Sequence, residues 1–201
     1  MEERIQRRRH VLKSLSVFVY SYEKECVPSA HLHIMSNRIP VRTILSPSGI
    51  CRAYNDFTIE WMNNSNNLYS IKINSLATVL LGVKGPQNEI ESIFVGCEHG
   101  DVHHFSIPNL VLLNSFHLDG ETIRSMTRLN ASSRNVLIGT QSGAIWLAGV
   151  KVPNKTMKIF ETHQPITSLQ VERDHVYVQS GWTQTSHYLN GEDMRPQVVK
   201  A

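Results

Sequence analysis

Two patterns of apolar and polar positions recur along the chain and predict its elements. In the first, an apolar run contains a glycine, a short polar turn with a second glycine follows, and another apolar run begins. The pattern covers Val95–Phe105 and returns in Val136–Trp146, where Gly139 and Gly143 match Gly96 and Gly100. Because glycine adopts positive φ without steric penalty, the pattern predicts a β-hairpin. Its return after about 43 residues predicts a repeated unit.

The second pattern is an apolar residue, any residue, a serine or threonine, and another apolar residue. It occurs four times, at Val41–Ile44, Leu76–Val79, Ile123–Met126 and Ile166–Leu169. Alternation with a period of two is typical of a strand with one buried face. Four copies therefore predict four units that open with the same strand.

Together the patterns predict an all-β protein built from four-stranded antiparallel units. The clearest unit has strands at Ile123–Leu129, Asn135–Thr140, Ala144–Val150 and Met157–His163, separated by turns rich in Asn, Ser, Gly and Pro. The predicted units span residues 38–74, 76–118, 122–163 and 166–189. The last has three strands, and residues 30–35 have the position of a fourth. We expect strand 30–35 to complete that unit, which would close a ring without open edges.

The charge distribution divides the chain further. The composition is that of an ordinary globular protein, with 41% hydrophobic residues, 18% charged residues and a formal net charge of +3. Residues 1–29 are predicted to be a basic arm with a leading strand, residues 30–190 the repeat domain, and residues 191–201 a C-terminal tail. The cations of the arm that could bind RNA or DNA in a nucleoprotein assembly are Arg4, Arg7, Arg8, Arg9 and Lys13.

The cysteine pattern indicates the compartment. Cys26, Cys51 and Cys97 are widely spaced and form no CxxC motif, so neither a disulfide framework nor a zinc ribbon is expected. A reducing compartment follows, which is the cytoplasm, or the nucleus in a eukaryote. No segment approaches the roughly 20 apolar residues of a membrane helix, and no membrane partner is expected.

Catalytic and metal-binding motifs are missing from the sequence. There is no Gly-x-Ser-x-Gly elbow and no glycine-rich phosphate loop. The histidine groups considered as metal ligands are His31 with His33, and His99 with His103 and His104. His103 and His104 are adjacent on a strand and point to opposite faces, so they do not converge on one ion. We expect no metal, no cofactor and no enzyme, and an enzyme with a site in a central channel is the less favoured alternative.

Two further groups of residues have structural interpretations. Glu89 and Glu91 form a close acidic pair at the start of a strand and are predicted to face solvent. Trp61, Trp146 and Trp182 lie in or near third strands, which predicts packing in the core or between units.

Residues 36–190 resemble the WD40 class of β-propellers, which repeat four strands every 40 to 45 residues. Gly96–Ile107 is similar to the second strand, turn and third strand of that family, with Phe105 and Ser106 in the place of its Trp-Asp dipeptide. In Gly139–Ile145 and beyond, Ala148 and Gly149 take that place. His163–Ser168 resembles the Gly-His turn that opens a WD40 unit, without its glycine.

The resemblance implies a scaffold that binds protein or peptide partners through the turns between second and third strands and the connections between units. Matched by position, these residues are Asp56, Phe57, His99, Asp101, Gln141, His163 and Trp182. Since about four units fit in 201 residues, three arrangements remain open. The chain is a closed four-bladed ring, a half-ring completed by a second copy or another chain, or a piece of a longer propeller.

Overall fold

The structure is a computed structural model that describes residues 38–85, 87–129, 135–149, 156–173, 175–189 and 196–198. All of them belong to one compact unit, Asn37–Ala201. They form sixteen strands and contain no helix. The basic arm and the predicted strand 30–35 lie outside the described residues.

The strands form four antiparallel sheets in chain order. Sheet 1 contains β1 (Pro40–Ser46), β2 (Gly49–Tyr54), β3 (Thr58–Asn63) and β4 (Leu68–Lys72). Sheet 2 contains β5 (Ala77–Lys84), β6 (Ile90–Cys97), β7 (Asp101–Ser106) and β8 (Leu112–His117). Sheet 3 contains β9 (Ile123–Arg128), β10 (Asn135–Thr140), β11 (Ala144–Gly149) and β12 (Thr156–Glu161). Sheet 4 contains β13 (Ile166–Glu172), β14 (His175–Ser180), β15 (Thr183–Leu189) and β16 (Pro196–Val198).

Sheet 4 differs from the sequence prediction at its outer edge. The chain was expected to end this unit with its third strand and to continue as a tail after residue 190. Instead β16 pairs with β15, with Tyr188 opposite Gln197. A three-residue strand has too few alternating positions to be recognised from its hydrophobic pattern. It is identified as a strand by its pairing with β15.

Three buried clusters hold successive sheets together. The cluster between sheets 1 and 2 includes Trp61 and Phe105, the one between sheets 2 and 3 includes Phe94 and Ile138, and the one between sheets 3 and 4 includes Leu137. The inner sheets are therefore buried on both faces, which explains the nearly continuous apolar run of β6. Of the three tryptophans, Trp61 is buried as predicted, whereas Trp182 is fully exposed.

The first strands of successive sheets pack side by side, in the order β1, β5, β9 and β13. Among the described strands, no comparable packing joins sheet 1 to sheet 4. The described residues thus show four propeller-like sheets in a row, and they do not show a closed ring.

Side chains of the first strands also bridge neighbouring sheets. The Arg42 guanidinium donates to the carbonyl of Thr78, and the Thr78 hydroxyl lies 2.6 Å from the carbonyl oxygen of Ile123. In the next junction the amide of Leu169 donates to the Ser125 hydroxyl over 3.0 Å. Each first strand is therefore bonded to the next through one of its own polar groups.

The pairing register corrects the Ser/Thr pattern. Equivalent positions of the second strands are occupied by Ala53, Gly96, Gly139 and Gln179. Their partners in the first strands are Arg42, Val79, Ser125 and Ser168, respectively. Ser125 and Ser168 are therefore equivalent as predicted, but Thr43 and Thr78 are each one position out of register. The irregularity near the start of the first strand recurs at the same place in all four sheets; what differs between the units is the position of the Ser or Thr relative to it.

Candidate partner-binding face

All seven predicted contact residues lie at one end of the sheets. In four consecutive antiparallel strands, the turn between the second and third strands lies at the edge where the fourth strand ends and the next sheet begins. We call this edge the turn face. It comprises the β2–β3, β6–β7, β10–β11 and β14–β15 turns and the connections 73–76, 118–122 and 162–165. Residues 56, 57, 99, 101, 141, 163 and 182 are spread along it.

Backbone hydrogen bonds join each connection to the turn that precedes it. The amide of Ile73 donates to the carbonyl of Phe57, that of Leu118 to Gly100, and that of Thr162 to Gly143, each over 2.9 Å. The same bond thus occurs in all three connections, and it fixes each turn against the chain segment that leaves its sheet.

A second set of bonds joins each connection to the turn of the following sheet. The amide of Glu98 donates to the carbonyl of Leu76 and that of Gln141 to Thr122, each over 2.9 Å, and that of Gly181 donates to Pro165 over 3.2 Å. Turns and connections therefore alternate in one hydrogen-bonded row. A row of this kind fixes the main chain of the turns from which the surface side chains project.

Glycines allow the turns to lie this close to the connections. Gly100 has φ of 83° and Gly143 has φ of 97°, in the region that side chains disfavour. A Cβ atom on Gly143 would lie 2.6 Å from the carbonyl oxygens of Thr162 and Gln164. The second glycine of each hairpin is therefore required by backbone geometry.

Two aromatic side chains project from the turn face. Trp182, in the β14–β15 turn, is 100% exposed, and Phe57, in the β2–β3 turn, is 43% exposed with φ of 66°. They occupy corresponding turns of sheets 4 and 1. The sequence predicts Trp182 both as a packing residue and as a contact residue; the structure places it at the surface, and among the described residues no sheet packs beyond sheet 4 to cover this turn.

An ion-pair network fixes the β2–β3 turn. Arg38 Nε lies 3.1 Å from Asp56 and Nη1 lies 2.6 Å from Glu60, while the guanidinium lies 4.0 Å from the centre of the Tyr54 ring. Partial burial alone would raise the pKa of Asp56. Hydrogen bonds from Thr58 and the charge of Arg38 have the larger combined effect, so the pKa lies below its usual value and the carboxyl stays ionised. Asp56 is thus partly engaged within the chain.

Asp101 is engaged in a similar way, by a residue that the sequence did not indicate. His117 Nδ1 lies 2.9 Å from the Asp101 carboxylate, and His117 Nε2 accepts from the amide of Gly120 over 3.0 Å. Because Nε2 is the acceptor, the ring proton lies on Nδ1 and is donated to Asp101. The pair ties β7 to the connection 118–122. Asp101 therefore positions the turn, and the neighbouring His99 is the exposed group.

The remaining predicted residues are exposed. Gln141, His99 and His163 each extend from a turn or connection of the face. Sequence reasoning missed Glu121, whose carboxylate accepts a hydrogen bond from the Ser142 hydroxyl and joins connection 118–122 to the β10–β11 turn. Arg4, Arg7, Arg8, Arg9 and Lys13 lie outside the described residues.

The described residues contain no candidate metal site. They contain no group of three or more His, Cys, Asp or Glu residues able to hold a metal ion. His103 and His104 lie on opposite faces of β7, His103 next to Ser115 and His104 buried next to Ser92. Burial raises the pKa of the Cys51 thiol to about 12 and that of Cys97 to about 11, which keeps both protonated.

A cavity of about 230 Å³ lies along the first strands, where a propeller would have its central channel. Its lining residues are Arg42, Thr78, Ile123, Arg124 and Thr167. The lining contains two cations but no carboxylate, imidazole or thiol, and therefore no pair suited to acid–base or nucleophilic chemistry. Within the described part of the chain, no helix has the length and hydropathy that crossing a membrane requires.

Comparison with known proteins identifies the architecture. No protein-family model and no curated protein sequence matches the chain. Among solved structures, the computationally designed Ika8 protein is 16% identical with a TM-score of 0.62, covering 80% of this chain and 48% of its own. The designed Ika4 protein is 16% identical with a TM-score of 0.63, covering 77% and 94%. BBS1N, crystallised in complex with ARL6DN, is 15% identical with a TM-score of 0.58, covering 76% and 48%.

These similarities show an all-β, propeller-like fold. The matched region spans about half the length of the Ika8 and BBS1N chains and nearly all of the Ika4 chain. The sequence prediction of a propeller-like array is confirmed at that level, while membership of the WD40 family has no matching family model behind it.

Proposed function

We propose that this chain is a protein-interaction module that binds a protein or peptide partner on its turn face. The observation that carries the proposal is the exposure of Trp182 and Phe57 on a hydrogen-bonded row of turns. An aromatic side chain that projects from a fixed turn offers a large contact area for a partner to bury. Tryptophan in particular is enriched among the residues that dominate binding energy.

The composition of the face fits the proposal. Its exposed polar groups, His99, Gln141 and His163, both donate and accept hydrogen bonds, and they lie between the two aromatics along the row of turns. Protein interfaces combine such aromatic anchors with a polar surround. The backbone bonds of the face also reduce the ordering cost of binding, because the turns are already fixed.

The comparison with BBS1N supports a function of this class. That protein was crystallised in complex with ARL6DN, so a domain of similar fold has a protein partner. Fold similarity does not transfer the partner. The partner of this chain is therefore to be identified through its own exposed residues.

The test compares two triple variants of the full-length chain. The turn-face variant carries Phe57→Ala, Gln141→Ala and Trp182→Ala. The control variant carries Leu45→Ala, Leu68→Ala and Leu112→Ala, which are exposed apolar residues at or near the opposite ends of the strands. Each tagged protein is used to capture partners from lysate of the source cells, and the captured proteins are quantified by mass spectrometry.

We expect wild type and control to capture the same specific proteins, and the turn-face variant to recover them at least about tenfold less, as loss of aromatic hot spots predicts. Equal thermal unfolding midpoints for the three proteins show that the loss does not come from unfolding. Equal capture by the turn-face variant and wild type contradicts the proposal.

A further inference from the structure

A cleft lies between sheets 1 and 2 at the ends of the strands opposite the turn face. Its volume is about 330 Å³, within the range of sites that hold a small group or a side chain. It is formed by the β1–β2 turn, the end of β3, the β5–β6 loop with the start of β6, and the β7–β8 loop. Its lining residues are Ser48, Trp61, Asn63, Gln87, Glu89, Ile90, Glu91, Ile107 and Pro108.

The cleft combines an apolar wall with an acidic rim. Trp61 and Ile90, both buried, and the half-buried Ile107 supply apolar surface. Glu89 and Glu91 are exposed, and neither carboxylate has an ion pair or hydrogen bond with any described residue. No lysine, arginine or histidine is among the lining residues. The sequence expectation that the two acids face solvent thus becomes more specific, since they border a cavity.

A buried polar group in the same wall has no partner. The Trp61 side chain is 1% exposed, and its indole N–H makes no hydrogen bond with any described residue. A buried donor without an acceptor is unfavourable by the free energy of its lost hydrogen bond to water. The N–H itself is closed off from solvent, while the Trp61 side chain lines the cleft, so its indole signal reports on what enters.

The acidic rim is held in place by its backbone. The amide of Gly85 donates to the carbonyl of Glu89 over 2.8 Å, and the amide of Ile107 donates to the carbonyl of Glu91 over 2.9 Å. The Glu91 side chain lies over Gly85, where a Cβ atom would overlap the carboxyl group. Glycine at position 85 therefore leaves the space that Glu91 occupies at the rim.

We propose that this cleft binds an arginine side chain of a peptide or protein partner. The guanidinium pairs with Glu89 and Glu91, since its planar group of donors matches carboxylates. The aliphatic stem packs against Ile90 and Ile107, as long cationic side chains do on apolar surface. The main chain of the bound segment meets Ser48 and Asn63, the polar residues that also line the cleft. The cleft is at the other end of the sheets from the turn face, so this inference does not rest on the function proposed above.

The experiment uses the full chain with 15N-labelled tryptophan, which gives one indole signal for each of Trp61, Trp146 and Trp182. A Trp182→Phe variant assists the assignment. The probe is the blocked tripeptide acetyl-Gly-Arg-Gly-amide, and the matched probe replaces arginine with citrulline, which has the same shape without the charge. Agmatine, which carries the guanidinium without a peptide backbone, is the third probe.

We expect the arginine peptide to shift the Trp61 indole signal in a saturable manner, and citrulline peptide and agmatine to bind at least about tenfold more weakly. The double variant Glu89→Gln with Glu91→Gln should weaken the arginine peptide by a similar factor. The control Glu172→Gln, an exposed acid on β13, should bind like wild type.

Three results overturn the proposal. Equal binding of the citrulline peptide, or unchanged binding by the double variant, would show that the carboxylates do not recognise the charge. Equal binding of agmatine would show that the cleft accepts a free guanidinium compound and does not read a peptide. The two glutamates are exposed, so the double variant is expected to fold, and its indole spectrum without ligand verifies this.

Discussion

The junctions between successive sheets fill equivalent space with different pairs of residues. Between sheets 2 and 3, Gly96 of β6 lies against Ile123 of β9, and between sheets 3 and 4, Gly139 of β10 lies against Ile166 of β13. By pairing register, the equivalent residues between sheets 1 and 2 are Ala53 and Ala77. Both alanines belong to the buried cluster of that junction.

The difference shows what the recurring glycines do. A Cβ atom on Gly96 would lie 2.5 Å from Ile123 Cγ2, and one on Gly139 would lie 2.8 Å from Ile166 Cβ. The missing side chain on one strand therefore makes room for a large one on the next sheet. Between sheets 1 and 2, the alanine pair Ala53 and Ala77 replaces the glycine–isoleucine pair. The first unit therefore lacks the first glycine of the recurring sequence pattern.

The largest expected effect comes from adding one methyl group at a glycine junction. Gly139→Ala forces its Cβ into Ile166 at a fully buried position, and we expect a loss of about 3 kcal/mol in the free energy of unfolding. The matched control is Gly149→Ala on the neighbouring strand, whose Cβ would meet only Asn135 Oδ1 at 3.5 Å. Chemical denaturation of both variants measures the difference. Equal stabilities would mean that the glycine is not a packing requirement.

A double-mutant cycle converts one junction into the other type. Gly96→Ala introduces a clash and Ile123→Ala leaves a cavity, but the double variant has the Ala–Ala pair found between sheets 1 and 2. We expect the double variant to be more stable than the sum of the single losses by about 1.5 kcal/mol. Additive losses would show that the two residues do not share the same space, and denaturation of the four proteins decides it.

The sequence predicts strand ends best where turn-forming residues mark them. The strands of sheet 3 begin and end within a few residues of the prediction, because glycine, asparagine and proline mark their ends. The register of the first strands was less accessible. Arg42, and not Thr43, is the equivalent of Ser125, and this assignment depends on pairing with the second strand, which a four-residue pattern does not encode.

The candidate site was predicted in part for the same reason. Repeat position was enough to place His99 and Gln141 in turns, since the turns follow the glycine pattern. Repeat position does not reveal that His117 holds Asp101 or that Arg38 holds Asp56, because these pairs join residues 16 and 18 positions apart across a sheet edge. The acidic cleft could not be predicted from the sequence either, because its lining residues come from two different sheets.

Buried histidine also separates the junctions. His104 stacks on Phe94, a member of the cluster between sheets 2 and 3, with ring centres 4.0 Å apart. The histidine next to the cluster between sheets 1 and 2 is His103, whose ring centre lies 5.9 Å from that of Phe105, and it is only half-buried. Burial lowers the pKa of His104 from 6.5 to about 4, so the folded chain keeps the ring neutral where the unfolded chain protonates it.

The sign of the pH dependence follows. The stability that neutral His104 contributes is fully present above about pH 6.5 and is lost progressively as the pH falls toward 4. His104→Gln, which can still hydrogen-bond to Ser92, should therefore lose about 3 °C less in Tm than wild type between pH 7 and pH 5. The exposed His99→Gln serves as control and should follow wild type. Identical pH profiles for all three proteins would contradict the assignment.

The smallest expected effect tests the polar bridge between first strands. Thr78 Oγ1 lies 2.6 Å from the Ile123 carbonyl oxygen of the next sheet and 3.0 Å from that of Gly96 in its own sheet. Thr78→Val keeps the shape and removes the donor, so we expect a loss of about 1 kcal/mol in unfolding free energy. Thr167→Val is the control, because the Thr167 hydroxyl bonds to Gln179 within its own sheet and is exposed, where water replaces the lost partner. If both variants lose the same small amount of unfolding free energy, the glycine–isoleucine packing holds the sheets together without the hydroxyl. If only Thr78→Val is destabilised, the packing and the hydrogen bond both stabilise this junction.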